Sequence, residues 1–358
     1  MSLAVRNYAT NLLRLLRRRP ANLLRPLMVT YYVTARCNLN CVYCEDFGAR
    51  RNSQAEKELS LKDAQRVLRI LRQATDRITF TGGEPLLYAD IIPLAAFARH
   101  ELDFRHITLL TNGLLLLQFR DILPAIDRLV ISLDATDPEQ WQHTIQAPAT
   151  TSQTILENIQ IFARLQRTMG YRVILNCVLS PETLIGAEQV LKFAVANDLL
   201  VSFSPQAVHN WPRYELLVSQ EYRRFLSRLI DLKRRGAPVL GSTAYLRHLH
   251  EMSPFGCHPT LVPRVMPNGD LAYPCRPIEQ ERGSHGGRPC NLLKVDSWEQ
   301  ALKISLDAYG APPYICTSCF QQCYAEASLM QARPLSLLWE VLRHAPARSG
   351  AVWTYAPG

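Results

Sequence analysis

The sequence predicts an α/β protein in which helices cover a mainly parallel sheet. Between residues 29 and 236, strand-like and helix-like segments alternate regularly, as in chains of β-α units. Turn residues follow several of the strands, for example Gly82-Gly83 and Asn112-Gly113. After residue 236 the alternation gives way to a hairpin pattern and closely spaced cysteines, which indicates a second, smaller domain.

Composition and charge narrow the class of protein. The chain has 358 residues, of which 47% are hydrophobic and 20% charged, so it can bury a large core and is not disordered overall. The net charge of +9 has a local origin, because seven Lys/Arg and no Asp or Glu precede Glu45. No secretory signal and no apolar run of membrane-spanning length are visible, so we expect a cytoplasmic protein. No nucleic-acid reading module is recognisable, and we expect no nucleic-acid partner.

The N-terminal segment predicts a basic amphipathic helix over residues 3–19, which Pro20 ends. Its apolar residues recur at helical spacing, with arginines on the other faces. Such a helix is typical of segments that lie on an anionic membrane surface, which would suit a lipid-like substrate. It is more often a helix that packs its leucines on the body of the protein, and the sequence leaves both interpretations open.

Six β-α units follow. Their predicted strands cover residues 29–35, 77–81, 106–111, 128–134, 171–179 and 199–204, and the helices between them include 60–74, 151–169 and one opened by Ser180-Pro181. Six units are too few for a closed eightfold barrel and fit a partial (β/α)6 TIM-like barrel. In such sheets the chemistry lies at the carboxyl ends of the strands.

Beyond the barrel, residues 262–275 predict a hairpin with Asn268-Gly269 at its turn. A helix over 297–309 and a cysteine-rich turn leading into another helix follow. The predicted organisation is an N-terminal helix (1–28), the barrel (29–236), a small cysteine-rich domain (237–332) and a tail (333–358).

Three cysteines follow the first strand within eight residues, at Cys37, Cys41 and Cys44. Three thiolates can hold three irons of a cubane cluster and leave the fourth open to a small molecule. A zinc site would need a fourth Cys or His at short spacing, and none follows nearby.

With this C-x3-C-x2-C pattern, the sequence resembles the radical SAM enzymes. Residues 80–85, Phe-Thr-Gly-Gly-Glu-Pro, match the GGEP motif of that family after the second strand, and Tyr43 fits the aromatic position before the last cysteine. The resemblance implies a partial barrel, a [4Fe-4S] cluster on the three cysteines, and S-adenosylmethionine as cofactor. It also implies that the turn of Gly82, Gly83 and Glu84 holds the amino group of S-adenosylmethionine.

Further strand ends agree with the resemblance. Ser132 and Asp134 occupy positions that contact the ribose and the methionine carboxylate in the family, Asn112 a position that lines the site, and Asn176 one that often faces the adenosine. Each has a structural alternative. Ser132 can cap a helix, Asn112 can form a turn, and Asn176 can be a satisfied amide inside the barrel.

The remaining cysteines suggest a second metal centre. Taken alone, the paired spacing near the C-terminus fits zinc or a cubane. It resembles the SPASM and twitch extensions of radical SAM enzymes, which carry auxiliary [4Fe-4S] clusters. The pattern lacks cysteines for two full auxiliary clusters, so we expect one. Its expected ligands are Cys257 and Cys275 with two or more of Cys316, Cys319 and Cys323. Cys177 is expected to be a buried thiol outside the clusters, and the sequence leaves open whether Cys290 is another such thiol or completes the auxiliary cluster.

The implied function is reductive cleavage of S-adenosylmethionine to a 5′-deoxyadenosyl radical, which abstracts hydrogen from a small-molecule, lipid-like or peptide substrate. The auxiliary cluster would assist oxidation or electron relay, and flavodoxin or ferredoxin would donate the electron. No catalytic acid or base is identifiable.

One alternative is a ribosomal-peptide maturase that relies on a separate leader-binding partner, because 28 residues before the first strand are too few for a leader-binding domain. Another is a non-catalytic metal-binding protein with a zinc knuckle.

Overall fold

A computed structural model describes residues 2–17, 24–44, 47, 57–208, 211–281, 288–312 and 319–335. Its helices are α1 (Leu3–Leu16), α2 (Leu61–Ala74), α3 (Ile91–His100), α4 (Pro138–Ile145), α5 (Ala149–Met169), α6 (Leu184–Ala196), α7 (Tyr214–Val218), α8 (Gln220–Arg234), α9 (Thr243–Glu251), α10 (Arg276–Glu281), α11 (Trp298–Tyr309) and α12 (Gln322–Ala332). Its strands are β1 (Val29–Thr34), β2 (Arg77–Gly82), β3 (His106–Thr111), β4 (Arg128–Ser132), β5 (Arg172–Leu179), β6 (Leu200–Pro205), β7 (Ala207–Val208), β8 (Trp211–Pro212), β9 (Arg264–Val265), β10 (Asp270–Ala272) and β11 (Cys290–Asn291).

Strands β1 to β6 form a parallel sheet in which each strand pairs with the next one along the chain. Parallel neighbours require a crossover connection, and helical segments supply it between successive strands. The carboxyl ends of all six strands therefore meet at one end of the sheet. This architecture confirms the predicted α/β fold, a partial barrel of six units.

The two faces of the sheet differ in polarity, because successive residues of a strand point to opposite sides. On β1, Val29, Tyr31 and Val33 are buried in the hydrophobic core, whereas Thr30 and Tyr32 line a cavity of about 390 Å³. The other strands follow the same alternation, with the cavity-lining side chains Thr79, Thr81, Thr108, Leu110, Arg128, Val130, Ile174, Asn176, Ser202 and Ser204. The inside of the barrel is thus a cavity with many hydroxyl groups, and the apolar core lies on the opposite face of the sheet.

The segment after residue 236 reaches both edges of the six-stranded sheet. At one edge, β9 pairs in parallel with β1 and continues into β10 and β11. At the other edge, Val239 forms a parallel bridge with Val201 of β6. Side chains from Phe320 to Cys323 also line the barrel cavity. The cysteine-rich segment therefore spans the gap that a six-stranded barrel leaves open.

Helix α1 packs against the amino-terminal end of the barrel through an unexpected face. Ala4, Asn7 and Asn11 are its buried residues, and the Asn7 amide donates to the carbonyls of Pro26 and Ala74, each at 2.8 Å. Leu13 and Leu16 are instead 53% and 80% exposed. Residues 18–19 of the predicted helix and the predicted tail beyond residue 335 lie outside the described residues.

Asp76, immediately before β2, holds the start of this helix. Its carboxylate accepts hydrogen bonds from the backbone amides of Leu3 (2.6 Å) and Ala4 (2.9 Å) and from the hydroxyl of Ser2 (3.1 Å). Burial alone would raise the pKa of Asp76, but these donors keep it below its ordinary value. The negative charge also complements the positive end of the helix dipole. No helix of the described residues combines the length and apolar character needed to cross a membrane.

Candidate active site

The three clustered cysteines lie on the loop that follows β1, at the carboxyl end of the sheet. Backbone hydrogen bonds hold this loop against the end of α4, from Asn40 to the carbonyl of Ile145 (3.2 Å) and from Val42 to that of Thr144 (2.9 Å). Within the loop, the Cys44 amide donates to the Cys41 carbonyl at 3.1 Å. The backbone of the loop is therefore fixed from outside and from within.

The same loop brings the three thiols close enough to influence one another. Burial raises the pKa of Cys37 to about 11, and the charges of Glu84 and Cys44 add to the shift. Burial also raises the pKa of Cys41, with further contributions from Asp134, Cys44 and Cys37. A metal is the natural means of converting such buried thiols into thiolates. Their chemistry and grouping fit the iron ligands of the predicted cluster.

No group of three or more His, Cys, Asp or Glu side chains in the described residues has the geometry to hold a single metal ion. The irons of a cubane lie at separate corners, so its thiolate ligands do not converge on one point.

The turn after β2 touches the cysteine loop backbone to backbone. The amide of Gly83 donates to the Thr34 carbonyl at 3.0 Å, and that of Glu84 donates to the Arg36 carbonyl at 2.7 Å. A Cβ atom on Gly82 would lie 2.3 Å from the Thr34 oxygen, and one on Gly83 would lie 2.3 Å from the Arg36 oxygen. Both glycines are thus required by the close approach of the loop.

Glu84 joins this turn to the end of β3. The side chain is fully buried, and its Oε1 accepts from the Leu86 amide (3.0 Å) and the Thr111 hydroxyl (2.7 Å). Oε2 accepts from the Asn112 amide at 2.8 Å. Burial raises the pKa of Glu84, and these hydrogen bonds oppose the shift only partly. The carboxyl therefore ties two strand ends together beneath the cysteine loop.

Asn112 also reaches the loop. Its amide nitrogen donates to the side-chain oxygen of Asn38 at 2.7 Å, and its side chain interacts with the thiol of Cys37. Its own oxygen accepts from the Leu114 amide at 3.0 Å, which is the turn geometry that the sequence also allowed. In this single conformation Asn112 forms the turn and also contacts the cysteine loop, so a role in the turn and a role in lining the site are compatible.

Tyr43 and Asp134 form a pair between the cysteine loop and the end of β4. The tyrosine hydroxyl donates to Asp134 Oδ2 at 2.6 Å, and Asp134 Oδ1 accepts from the Val178 amide at 2.9 Å. Burial raises the pKa of Asp134 to about 6, against the lowering effect of the Tyr43 hydrogen bond. In this structure Asp134 positions Tyr43, and its expected contact with a methionine carboxylate stays a prediction.

Ser132 and Asn176 face each other across β4 and β5 in register. Asn176 accepts from the Ser202 hydroxyl at 2.9 Å and lines the barrel cavity. Asn176 therefore lies on the inner face with a structural partner, and its expected contact with the adenosine stays a prediction.

The C-terminal cysteines lie in several elements. Cys275 and Cys319 are buried, Cys257 and Cys323 are half-buried, and Cys316 lies outside the described residues. Tyr324 lies near two of them, since the charges of Cys275 and Cys323 both affect its pKa, which burial raises. Cys323 also lines the barrel cavity, so one of the expected auxiliary ligands faces the space enclosed by the strands.

The two remaining cysteines are buried in secondary structure. Cys290 lies in β11 opposite Leu271, and burial raises its pKa to about 11. Cys177 is fully buried in β5, and burial raises its pKa as well. Burial does not separate Cys290 from the expected ligands Cys275 and Cys319, which are buried to a similar degree, so the exclusion of Cys177 and Cys290 from the clusters stays a prediction.

Two parts of the site were not predicted. Helix α4 supports the cysteine loop, and Asp137-Pro138, an N-cap followed by proline at the first helical position, could have revealed its start. Arg264 lies in β9 and lines the cavity, and only its pairing with β1 places it there. No local motif marks this arginine.

Comparison with known proteins gives consistent findings. The profile described as the radical SAM superfamily matches residues 31–194. A GTP 3′,8-cyclase of Heliobacterium modesticaldum is 36% identical over 113 residues, which are 31% of this chain and 35% of the relative. A probable GTP 3′,8-cyclase of Methanopyrus kandleri is 39% identical over 113 residues, again 31% of this chain and 35% of the relative. The chain thus spans about a third of the length of these curated relatives.

Solved structures resemble the fold over more of the chain. Streptococcus suis SuiB aligns with a TM-score of 0.61 at 19% identity, covering 86% of this chain and 70% of SuiB. The enzyme anSMEcpe, solved with bound AdoMet, aligns with a TM-score of 0.57 at 13% identity, covering 87% of this chain and 98% of its own. At these identities the likeness concerns the fold.

Proposed function

Because the chain belongs to the radical SAM superfamily, whose cofactors are a [4Fe-4S] cluster and S-adenosylmethionine, we propose that it generates a substrate radical inside its barrel. The observation that carries the proposal is the meeting of Cys37, Cys41 and Cys44 against the Gly82-Gly83-Glu84 turn. When bound, the cluster and S-adenosylmethionine would supply a one-electron cleavage of the sulfonium to methionine and a 5′-deoxyadenosyl radical, and 5′-deoxyadenosine would form as a hydrogen atom leaves the substrate.

The chain's own residues would bind and orient the reactants. The three thiols would hold the cluster, and α4 with the glycine turn would fix the loop that carries them. Gly82 and Gly83 let the turn approach the backbone of the loop closely, and this turn is proposed to hold the amino group of S-adenosylmethionine, as the resemblance implies. Ser132, Asp134 and Asn176 are proposed to contact the rest of S-adenosylmethionine, and Glu84 and Tyr43 to hold the strand ends and the loop in place.

Anaerobic reconstitution tests this activity. With iron, sulfide, S-adenosylmethionine and dithionite, the chain should release 5′-deoxyadenosine, measured by liquid chromatography. Cys41→Ala should reduce the yield to the level of the protein-free control, because one cluster ligand is lost. Cys177→Ala is the control, since this thiol lies in the core within β5 and outside the cysteine loop, and the variant should retain activity. A wild-type chain that binds iron yet forms no 5′-deoxyadenosine would contradict the proposal.

We further propose one auxiliary [4Fe-4S] cluster, on Cys257, Cys275 and two or more of Cys316, Cys319 and Cys323. Its support is that Cys275 and Cys323 are both close enough to Tyr324 to affect its pKa and that Cys323 lines the barrel cavity. The proposed role is to accept or relay an electron at the substrate. We also propose that the barrel ends, and the auxiliary domain begins, near residue 236.

Iron analysis distinguishes the auxiliary cluster from a zinc knuckle. The reconstituted chain should contain about eight irons, and Cys275→Ala about four. Cys290→Ala, which removes a thiol of similar burial, should keep the full iron content. Zinc in place of the second set of irons would support the metal-binding alternative for this segment.

The substrate proposed for this site is a small molecule, a lipid-like molecule or a peptide, and the electron donor a flavodoxin or ferredoxin. SuiB has been solved bound to its precursor peptide SuiA, which keeps the peptide-maturase alternative with a separate leader-binding partner in view. Incubation with deuterated candidates from each class would identify the substrate, because the deuterium abstracted from the true substrate appears in 5′-deoxyadenosine.

We also propose that α1 contacts an anionic membrane surface. Leu13 and Leu16 are exposed beside Arg14 and Arg17, so apolar and basic groups share the outer face of the helix. This combination is typical of helices that lie at a lipid interface.

A further inference from the structure

Arg264 lies inside the barrel cavity and has no carboxylate partner among the residues that the structure describes. Arg264 occupies β9, opposite Thr30 of β1, and only 8% of its surface is exposed. Thr30 is in register with Thr79, which is in register with Thr108 of β3. All four side chains line the same cavity of about 390 Å³. A guanidinium and a row of hydroxyl groups therefore share one register level of the sheet.

The hydrogen bonds of Arg264 leave much of the guanidinium unused. Nη2 donates to Gln321 Oε1 and to Cys323 Sγ, both at 2.9 Å. The guanidinium also lies over the rings of Tyr324 (4.8 Å) and Tyr32 (5.9 Å). Its Nε is buried and has no hydrogen-bond partner among the described residues. Gln321 and the two rings are neutral, and Cys323, which would be a thiolate as a ligand of the proposed auxiliary cluster, contacts only Nη2. Nε therefore still lacks an acceptor, and no carboxylate of the described residues neutralises the buried guanidinium.

The cavity as a whole has the same electrostatic character. Its lining in the described part of the chain contains two arginines, Arg128 and Arg264, and neither Asp nor Glu. The polar groups that accompany them are mainly hydroxyls and amides, which can donate to an oxyanion. A ligand that brings a carboxylate or phosphate group would complement this charge, and Arg recognises both groups with two parallel hydrogen bonds.

We propose that the barrel cavity binds an oxyanion of the substrate, a carboxylate or a phosphate, with Arg264 as its charged contact. The inference rests on the proposed function, because it assumes that the substrate enters the barrel. It adds the substrate's chemical class, since it requires an anionic group. The unpartnered Nε of Arg264, next to the hydroxyl row, is the feature that carries it.

Binding of simple oxyanions tests the proposal separately from catalysis. Isothermal titration calorimetry would follow succinate and inorganic pyrophosphate into the reconstituted full-length protein, saturated with S-adenosylmethionine and without reductant. At least one probe should bind, and Arg264→Met should weaken it about 10- to 100-fold, as expected for a charge-assisted hydrogen-bonded pair. Arg264→Lys should retain part of the affinity. Arg69→Met, which removes an exposed arginine on α2, should leave it unchanged.

Three results would overturn the proposal. They are no binding of either probe to the wild type, equal affinity in Arg264→Met, and an equal loss of S-adenosylmethionine affinity in that variant. The last would identify the cofactor's own carboxylate as the anion. If Arg264→Met fails to fold, Arg264→Lys and Gln321→Ala provide the comparison, and either should weaken the probe severalfold. Formation of 5′-deoxyadenosine by the wild type, measured in parallel, shows whether the proposed function itself holds.

Discussion

The two ends of β2 each have a buried carboxylate that accepts hydrogen bonds from two backbone amides and one hydroxyl, yet their pKa values shift in opposite directions. Asp76, at the amino end, accepts from the start of α1, and its pKa is lowered. Glu84, at the carboxyl end, accepts from the end of β3, and its pKa is raised. Helix α1 offers a dipole and several donors to one anion, while the deeper burial of Glu84 outweighs its donors. Folding therefore favours the ionised form of Asp76 and disfavours the ionised form of Glu84, whose carboxyl joins two strand ends beneath the cysteine loop.

The largest effect is expected for Gly83→Ala at the carboxyl end. The new Cβ would lie 2.3 Å from the Arg36 carbonyl oxygen, so backbone must shift. We expect a loss of at least about 3 kcal/mol in the free energy of unfolding and poor iron incorporation. Denaturant unfolding and iron analysis measure both. Gly256→Ala, whose Cβ would meet no atom within 4 Å, should be nearly neutral. Normal stability and iron content in Gly83→Ala would show that the loop tolerates displacement.

Glu84→Gln should have the next largest effect. The amide group cannot accept all three hydrogen bonds, and its NH2 would face a backbone or hydroxyl donor. We expect a loss of about 1 to 3 kcal/mol in unfolding free energy, because a buried donor stays unsatisfied. Glu157→Gln, at an exposed position of α5, provides the control. If the two variants were equally stable, Glu84 would not hold the strand ends together.

At the amino end, Asp76→Asn should cost about 1 kcal/mol at neutral pH, through the loss of a charge at the helix terminus. Since the folded-state pKa of Asp76 is lowered, its carboxylate stabilises the fold above the ordinary value of 3.8. That contribution disappears as the pH falls through the folded-state pKa, so the difference from wild type should shrink in acid. Thermal unfolding across pH measures it, with exposed Asp121→Asn as the control. A pH-independent difference would contradict the role assigned to the charge.

The smallest effect on stability is expected for Leu13→Ser combined with Leu16→Ser. Both side chains are exposed, so the unfolding free energy should change by less than about 0.5 kcal/mol. Binding to vesicles containing phosphatidylserine should nevertheless fall at least about tenfold, since the apolar contact with the lipid is lost. Sedimentation with vesicles measures this. Leu117→Ser, exposed elsewhere on the surface, should bind like the wild type, and equal binding of all three proteins would exclude α1 as the contact.

The sequence predicted what local patterns determine. The strand positions, the capping of α2 by Ser60 and the hairpin turn at Gly269 all follow from spacing and from turn or cap residues. Helix α6 begins at Leu184 instead of at Pro181, because Ser180 accepts hydrogen bonds from the amides of Glu182 and Thr183 and forms a separate turn first.

What the sequence could not predict depends on contacts between distant segments. The leucine spacing of α1 suggests an apolar buried face, but the carbonyls of Pro26 and Ala74 need donors and select Asn7. Similarly, the position of Arg264 inside the barrel depends on the register of β9 with β1. Neither the contacts of Asn7 nor the pairing of β9 with β1 can be predicted from the spacing of apolar residues within a helix or a strand. The three-cysteine loop was predictable because its three cysteines lie within eight residues, whereas its support from α4 comes from residues about a hundred positions away and was not predicted.

The pairing of β9 with β1 also bears on how the chain is synthesised. During translation, β1 emerges early, and the strand that covers its free edge emerges only after the six barrel strands are complete. Until then, β1 presents unpaired backbone groups that another chain could bind. The nascent protein therefore passes through a period in which the edge of β1 is open to pairing with other chains. Early binding of a cluster by the cysteine loop would not shorten this period, because it does not cover that edge.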